Sequence, residues 1–327
     1  LTTSIAFLVL SAGLFAPAAH LVSGRDDHPR IKSSAWGGLV ILVVLLAAAV
    51  ILLVGWLYFD EYEERFRQEA SHELATATDL KVQELHQWRQ ERISDARVFF
   101  RNESFTAMVN EYLDNPGEED SERKVLEWLT HLREAYQYDR VALLDLEGKD
   151  ILAIPDVEEK PDSHLSEKIR QVVEGDSVEF LDFHLHDDGV PYLGVLVPIV
   201  GSGPGEQESA VLLLRIDPFE YLYPMIFRWP IDSRTAETLL VRREGEDVLF
   251  LKPLRFHEAS PLSFRIPLAR VELPAARAVL GEEGIVEGVD YRGVPVLASI
   301  RAIPDSDWFM VARMDVSEVF APLRERM

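Results

Sequence analysis

The chain has 327 residues, enough for about two or three domains, and 47% of them are hydrophobic, which is ample for buried cores. Its formal net charge of −23 argues against nucleic acid as a partner, because phosphate binding relies on clustered lysine and arginine. The chain has no cysteine, which excludes a disulfide framework, a thiolate metal site and a cysteine nucleophile.

The first strong feature along the chain is an uncharged apolar stretch, Trp36–Phe59. Its 24 residues would make a helix of about 36 Å, longer than the roughly 30 Å hydrocarbon core of a bilayer. We therefore predict a transmembrane helix over 36–59, preceded by an N-terminal apolar segment and a cytoplasmic loop over 1–35. Residues 1–22 are also apolar, and three interpretations stay open for them: another span, a signal-like segment, or part of a wrongly chosen start.

Positive charges set the predicted orientation. Arg25, Arg30 and Lys32 precede the apolar stretch, so the preceding loop is expected in the cytoplasm and the chain from about residue 60 outside it. The prediction is a membrane protein that contacts the lipid bilayer and has an acidic, extracytoplasmic bulk; in a bacterium the anchor would lie in the inner (cytoplasmic) membrane and the bulk in the periplasm.

Residues 60–113 contain neither proline nor glycine and are rich in helix formers. Val82, Leu85 and Trp88 follow the spacing of one buried helix face. The pattern predicts one long signalling helix over 60–113, ended by the breaker sequence NPGEED and followed by a shorter helix over 121–136.

Beyond these helices the pattern changes to short strands. VALLDLEGKDILAI, residues 141–154, predicts a β-hairpin about a glycine-containing turn. A helix is predicted over 163–173, and SVEFLDFHL, YLGVLVPIV and AVLLLRI predict three further strands. The last strand runs into the sequence RIDPFEYLYP, residues 215–224.

The second half of the chain repeats this order. Residues 238–251 align without gaps on 141–154, GVPYL recurs as GVPVL, and RIDPFEYLYP recurs as RMDVSEVFAP. We predict two α+β modules, each a five-stranded antiparallel sheet with helices on one face. The arginine and aspartate shared by the last pair are interpreted as structural, the aspartate as a helix cap. The predicted ranges are 114–226 for a membrane-distal module, 227–315 for a membrane-proximal module, and 316–327 for an exit helix toward a second transmembrane span.

This order of elements resembles the PAS-like fold of Cache domains, and residues 60–326 resemble the double Cache (dCache) sensors. Those are extracytoplasmic input domains of bacterial histidine kinases, chemoreceptors and diguanylate cyclases. DYRGVPVLASIRAIPDSDWFMVARMD and SRTAETLLVRREGEDVLFL resemble the proximal module of sensor kinases. The resemblance implies a small-molecule ligand in the distal module, a homodimer along the long helix, and a conformational signal sent across the membrane. It favours a two-component sensor histidine kinase as the whole protein, with a diguanylate cyclase or a chemoreceptor as alternatives.

The stretch DFHLHDDG, residues 182–189, carries the most chemistry. Strand alternation would place Asp182, His184 and His186 on one face. Three interpretations stay open: a metal site with an open coordination position, the lining of a ligand pocket, and a solvated face.

The ligand-binding residues expected in the distal module are Arg170, Asp182, His184 and Tyr192. Arg170 suits a carboxylate partner, although a surface arginine is the alternative, and Tyr192 fits either the core or the pocket. Amino-acid-binding dCache members carry an aromatic-Arg-Trp-Tyr constellation in this region, which HLSEKIRQVV around Arg170 lacks.

No HExxH, GxSxG, P-loop or dinucleotide motif is present in the sequence. We therefore predict no catalytic site and no cofactor in this chain, and any kinase activity would lie in another part of the protein. The competing hypothesis is a membrane-anchored extracytoplasmic metal-binding protein or enzyme that uses Asp182, His184 and His186. The aromatic stretch over 219–230 fits a helix that packs the modules together or, alternatively, a binding platform.

Overall fold

The computed structural model describes residues 33–157, 163–185, 189–199, 210–229 and 233–321. The chain divides into two compact units, Leu1–Ala70 with Ser317–Met327 and Ser71–Val316. The second unit contains both predicted modules.

Helix α1 (Ser33–Arg97) is 65 residues long and starts in the first unit. The side chains over 41–54 are exposed apolar residues. In the same unit the Arg67 guanidinium lies 5.8 Å from the centre of the Phe320 ring. Among the described residues no helix combines the length and hydropathy of a membrane span. The transmembrane segment over 36–59 stays a prediction.

The single helix predicted over 60–113 is wrong, because α1 ends at Arg97 and a second helix, α2 (Glu103–Asp114), follows after a short break. Arg101 has a φ of 58°, in the left-handed region that interrupts a helix. The side chain of Asn102 then accepts a hydrogen bond from the Phe105 N–H at 3.1 Å and caps α2. An asparagine cap thus ends one helix and starts the next without proline or glycine.

The distal module begins after helix α3 (Glu119–Tyr136). Its sheet has the strand order β2-β1-β5-β4-β3, a hairpin followed by a meander, as predicted. Gly148 has a φ of 85° in the hairpin turn, where an L-side chain would be strained. The elements are β1 (Arg140–Leu144), β2 (Asp150–Ile154), α4 (Ser163–Gly175), β3 (Glu179–Leu185), β4 (Pro191–Ile199), β5 (Ala210–Ile216) and α5 (Leu222–Phe227).

The proximal module repeats that order and adds one strand, β8-β7-β6-β11-β10-β9. The prediction of two five-stranded sheets is therefore wrong for the second module. The extra strand β8 pairs antiparallel with β7 at the sheet edge, and its three residues are too few to show a periodic pattern. The elements are β6 (Glu237–Glu244), β7 (Asp247–Phe250), β8 (Arg265–Pro267), α6 (Pro274–Val279), β9 (Gly284–Val289), β10 (Pro295–Ala302) and β11 (Trp308–Asp315), followed by α7 (Val316–Val319).

The distal sheet is covered on both faces, where the sequence predicts helices on one. One face packs on α4 through Leu165, Ile169 and neighbouring residues. The other face packs on α1, α2 and α3, and the same cluster of buried residues continues into the proximal module through Leu240 and Trp308. One apolar core therefore joins α1 and both sheets. Because close-packed interiors transmit strain, a displacement of one of these elements would be passed to the others.

Candidate functional site

The face of the distal sheet that looks toward α4 carries a row of polar side chains at one end. Arg140 on β1 is the register partner of Arg215 on β5, so the two arginines stand side by side. Tyr192 on β4 follows, with the Arg215 guanidinium 5.9 Å from its ring centre. His184 on the edge strand β3 pairs with Tyr192, their rings 5.9 Å apart. We call these four residues, with His164 of α4, the distal row.

The arginines of the distal row are held by neighbouring acceptors. Arg140 is 1% exposed and donates from Nη2 to the Asp150 carboxylate at 2.6 Å and from Nη1 to the Val157 carbonyl at 3.0 Å. Arg215 donates from Nε to Asp139 at 2.7 Å. Each guanidinium therefore has a carboxylate partner, and the two groups are held side by side on adjacent strands in a geometry suited to a planar anion such as a carboxylate.

At the other end of the distal row two histidines touch. His184 Nδ1 donates to the carbonyl of Asp182 at 2.5 Å, and its Nε2 lies 2.5 Å from Nδ1 of His164. Because a carbonyl can only accept, the geometry assigns the His184 proton to Nδ1 and leaves Nε2 to accept from His164. Burial lowers the pKa of His184, with His164 acting in the same direction, so the neutral form is favoured.

Asp182 does not share a face with His184, contrary to the prediction. Leu181 pairs with Gly194 and His184 pairs with Tyr192, so three residues on β3 cover two on β4. This β-bulge inserts one residue and reverses the alternation beyond it. Asp182 instead accepts from the indole Nε1 of Trp308 at 2.8 Å and pairs with Arg242 at 2.8 Å, both in the proximal module.

Arg170 lies away from the distal row. It is 62% exposed on the outer face of α4 and pairs with Glu167 one helical turn away. The structure therefore brings together His184 and Tyr192 of the four predicted residues, and leaves Asp182 and Arg170 outside. Whether any of the four binds a ligand is a prediction taken up below.

The structure does not support the metal hypothesis, which requires Asp182 and His184 to share one face of β3. Asp182 and His184 face opposite sides of the sheet, and His186 lies outside the described residues. In the part of the chain that the structure describes, no group of three histidine, aspartate or glutamate side chains could hold a metal ion.

The aromatic stretch over 219–230 joins the two modules. Tyr223 is 1% exposed, and its hydroxyl donates to the Leu251 carbonyl of the proximal module at 2.7 Å. Its ring stacks on Phe183 of β3 at 6.2 Å. Of the two interpretations, the packing helix is the one that the contacts support.

Sequence reasoning missed Arg140 and Arg215 as members of the site. Arg215 was visible as the first residue of the repeated RIDPFEYLYP, but its recurrence in the second copy pointed to a structural role. Arg140 stands one residue before the predicted hairpin strand, and no periodic pattern marks it. The available signal was the alternation of side chains along a strand, because Arg140 lies two residues before Ala142 and so faces α4 as well.

On the equivalent face of the proximal module, charged side chains pair with one another. Arg313, the counterpart of Arg215, is 1% exposed and donates from Nη2 to Glu237 at 2.6 Å and from Nη1 to Asp315 at 3.0 Å. Asp290 lies 3.3 Å from the same guanidinium, and Arg292 pairs with both Asp290 and Asp315. The cavity beside this network is only about 10 Å³, roughly the space of one water-sized probe.

These two sheets, with one polar face open to α4 and one closed by ion pairs, belong to a known architecture. The fold is that of bacterial extracellular sensory domains. The extracellular domain of the putative histidine kinase soHK1S-Z6 aligns with a TM-score of 0.55 at 13% identity, covering 79% of this chain and 98% of that one. The sensory domain of the Campylobacter jejuni chemoreceptor Tlp3 (CcmL) gives 0.54 at 12% identity, with the same coverage.

A third similar structure was solved with a ligand. The ligand-binding domain of the Pseudomonas fluorescens chemoreceptor CtaA, in complex with L-isoleucine, aligns with a TM-score of 0.52 at 13% identity over 80% of this chain and 98% of that one. No protein-family model and no curated protein matches the sequence. The resemblance to dCache sensors is thus confirmed at the level of the fold.

Proposed function

We propose that this chain is the extracytoplasmic ligand-sensing region of a transmembrane signal-transduction protein, with a sensor histidine kinase as the favoured whole protein and a chemoreceptor or diguanylate cyclase as alternatives. The observation that carries the proposal is the fold: two modules of the same strand order behind a long helix, matched over 98% of chains that are sensory domains of a histidine kinase and of chemoreceptors. A ligand would act on such a chain by its differential affinity for two arrangements of the modules.

The proposed ligand site is the distal row. Its two arginines favour a small molecule with a carboxylate, and Tyr192 and the two histidines supply an aromatic and hydrogen-bonding end. Arg170 is not included, because it is exposed on the opposite face of α4. Asp182 is assigned to the contact between modules.

The proposed route of the signal is β3. Its bulge places His184 toward the ligand and the adjacent Asp182 against Trp308 and Arg242 of the proximal module. Arg89 of α1 reaches the same point, since its guanidinium lies 4.9 Å from the Trp308 ring and donates to the Asp305 carbonyl at 2.7 Å. A shift of β3 would therefore reach the proximal module and α1 together.

We further propose that the chain is anchored in the inner membrane through 36–59 and acts as a homodimer. The uncharged stretch and its exposed apolar side chains over 41–54 support the anchor. The dimer follows from the resemblance to dCache sensors. No observation favours the competing metal-binding or enzymatic function.

A thermal-shift screen of the full chain in detergent against small carboxylates tests the site. A compound that binds the folded state alone at 100 times its Kd adds about 2.7 kcal/mol of stability. We expect Arg215→Gln and Tyr192→Phe to abolish or sharply reduce the shift of a hit, because both residues face the bound molecule.

The matched control is Arg170→Gln, which removes the same charge from the outer face of α4. It should leave the shift unchanged. A hit that ignores Arg215→Gln but responds to Arg170→Gln would show that the distal row is not the site.

A further inference from the structure

Two adjoining concavities run along α1 on the face of the distal module opposite the distal row. One has a volume of about 630 Å³ and lies among α1, α3 and the turn after β5. The other, of about 540 Å³, continues between α1 and α5. They share Trp88, Glu91, Glu220 and Tyr221, so together they form one elongated channel, which we call the α1 groove. Each volume is in the range of small-molecule sites.

Aromatic rings flank the α1 groove in two pairs. Trp88 of α1 and Tyr221 stack with ring centres 6.4 Å apart and an 18° angle between their planes. Tyr136 and Tyr138 stack at 6.1 Å. Tyr221 is 56% exposed, so its ring is accessible to a ligand. Aromatic faces attract organic cations and pack against aliphatic chains.

Carboxylates line the wider concavity from several elements: Glu91 of α1, Glu134 of α3, and Asp217 and Glu220 of the turn before α5. Asp139 lines it too, but that carboxylate pairs with Arg215. Within the described residues neither Glu134 nor Glu220 has an ion-pair partner. The arginines of the wider concavity are already engaged. Arg92 pairs with Asp95 at 3.0 Å, and Arg133 donates to the Asp139 carbonyl at 2.9 Å.

The basic residues at the far end of the α1 groove, Lys81 and Arg228, line the narrower concavity together with Glu84. Lys81 donates to the Met225 carbonyl at 2.8 Å, which engages it at the end of α5. The wider concavity therefore carries the excess of negative charge, within a chain whose net charge of −23 already attracts cations.

A buried hydroxyl points independently to a ligand. Tyr138 lines the wider concavity and is 3% exposed, and its hydroxyl has no hydrogen-bond partner in the part of the chain that the structure describes. Burial raises the pKa of Tyr138, so the group stays a neutral hydroxyl that can accept a hydrogen bond from an ammonium. A buried polar group without a partner is costly, which makes a ligand donor at this position favourable.

We propose that the α1 groove is a second binding site, separate from the distal row, for a linear organic cation with two or more ammonium groups. The aliphatic chain would lie along Trp88 and Tyr221, and the ammonium groups would pair with carboxylates of different elements while one donates to Tyr138. A compact cation reaches only one wall, whereas a linear one bridges α1, α3 and the exit turn. Binding would hold these three elements in one arrangement.

Isothermal titration of the full chain in detergent with the linear triamine spermidine, at about 150 mM salt to screen general attraction, tests the proposal. We expect saturable binding that Glu134→Gln/Glu220→Gln weakens at least tenfold. Tyr138→Phe, which keeps the ring and removes the hydroxyl, should weaken binding roughly two- to tenfold. n-Butylamine, with one ammonium group, should bind much more weakly than spermidine.

The matched control is Glu174→Gln/Glu258→Gln, which removes two exposed charges outside the α1 groove and should leave the affinity unchanged. The absence of saturable binding, an equal loss in the control, or equally tight binding of n-butylamine would each overturn the proposal. If the groove variant unfolds, Tyr138→Phe decides, and unchanged affinity in that variant counts against the site. The outcome is independent of the distal row, since Tyr192→Phe, a change that alters no charge and no residue lining the groove, should leave spermidine binding intact.

Discussion

The distal and proximal modules share one strand order and one arginine, yet they use that arginine in opposite ways. Arg215 of β5 and Arg313 of β11 occupy equivalent positions in the two sheets. The neighbour of Arg215 on the paired strand is a second arginine, Arg140, whereas the neighbour of Arg313 is Glu237. The same position thus places two arginines side by side in the distal sheet and an arginine beside a glutamate in the proximal sheet.

The comparison teaches that the cross-strand neighbour decides which partners a repeated arginine acquires: Arg313 pairs across the strand with Glu237, whereas Arg215 pairs with Asp139. In the proximal module Glu237, Asp290 and Asp315 surround Arg313, and the space beside them is about 10 Å³. In the distal module the same face carries Tyr192 and His184, and His164 of α4 lies against them. The first arrangement is an ion-pair network that carboxylates surround, and the second holds neutral rings beside its arginines.

The largest effect is expected for Arg313→Met. Removing the guanidinium leaves Glu237, which is 4% exposed, buried without its charged partner, and leaves Asp290 with Arg292 alone, which costs about 3–5 kcal/mol. Urea unfolding of the full chain measures the loss. The equivalent change Arg215→Met should cost about 1 kcal/mol, because Asp139 is 40% exposed and can be hydrated. Equal losses in the two variants would break the distinction between a closed and an open module.

A smaller effect is expected at the contact between the modules. Asp182→Ala leaves the buried indole N–H of Trp308 without its acceptor and should cost about 1–3 kcal/mol in urea unfolding. Asp182→Asn keeps an acceptor for Trp308 and loses the ion pair with Arg242, so its loss should be under about 1 kcal/mol. If Asn costs as much as Ala, the charge on Asp182 matters more than the indole contact.

The smallest effect is a pH dependence carried by the distal row. Burial holds the pKa of His184 in the folded chain below its ordinary value. At pH values between the folded and the unfolded pKa, the unfolded chain therefore binds more protons than the folded chain. The contribution to stability is complete above a pH of about 6.5 and is lost as the pH falls from there toward the lower folded pKa. The groups that act on His184 are His164 and Arg242, which lower its pKa further, and Asp182, which raises it.

His184→Gln should flatten the stability profile between pH 7 and pH 5, measured by thermal unfolding at each pH. His131→Gln, a change at an exposed histidine of α3, is the matched control and should leave the profile as it is. A profile that stays steep in His184→Gln would show that the titrating group lies elsewhere.

The architecture could be predicted because it rests on pattern. The hairpin, helix and meander of each module follow from short apolar runs and turn glycines. The second copy repeats the same order of elements, and this repeat indicated the fold class. Two features were not predicted, because no periodic sequence pattern marks them: the three-residue edge strand β8 and the asparagine cap at Asn102. Each depends on a few local hydrogen bonds that composition does not reveal.

The candidate site was harder to predict than the fold. Tyr192 and His184 were found because they stand in strands of clear sequence pattern. Asp182 was misplaced, since alternation assumes an uninterrupted strand and the bulge breaks it. Asp217 of the repeated motif accepts from the Phe219 N–H at 2.8 Å in the turn before α5, whose cap residue is Tyr221, so the cap hypothesis is wrong for this copy. Asp315 binds arginines instead. Identical residues in two copies thus acquired different partners from their surroundings.

The bulge in β3 also changes how relatives of this chain should be compared. Loops usually absorb insertions and deletions, but here a gain or loss of one residue inside a strand would exchange the side chains that face α4 with those that face the neighbouring module. Two proteins with the same residues around positions 181–184 and a different strand length would present different chemistry on each face. Strand length at this point, rather than residue identity, is therefore the property to align.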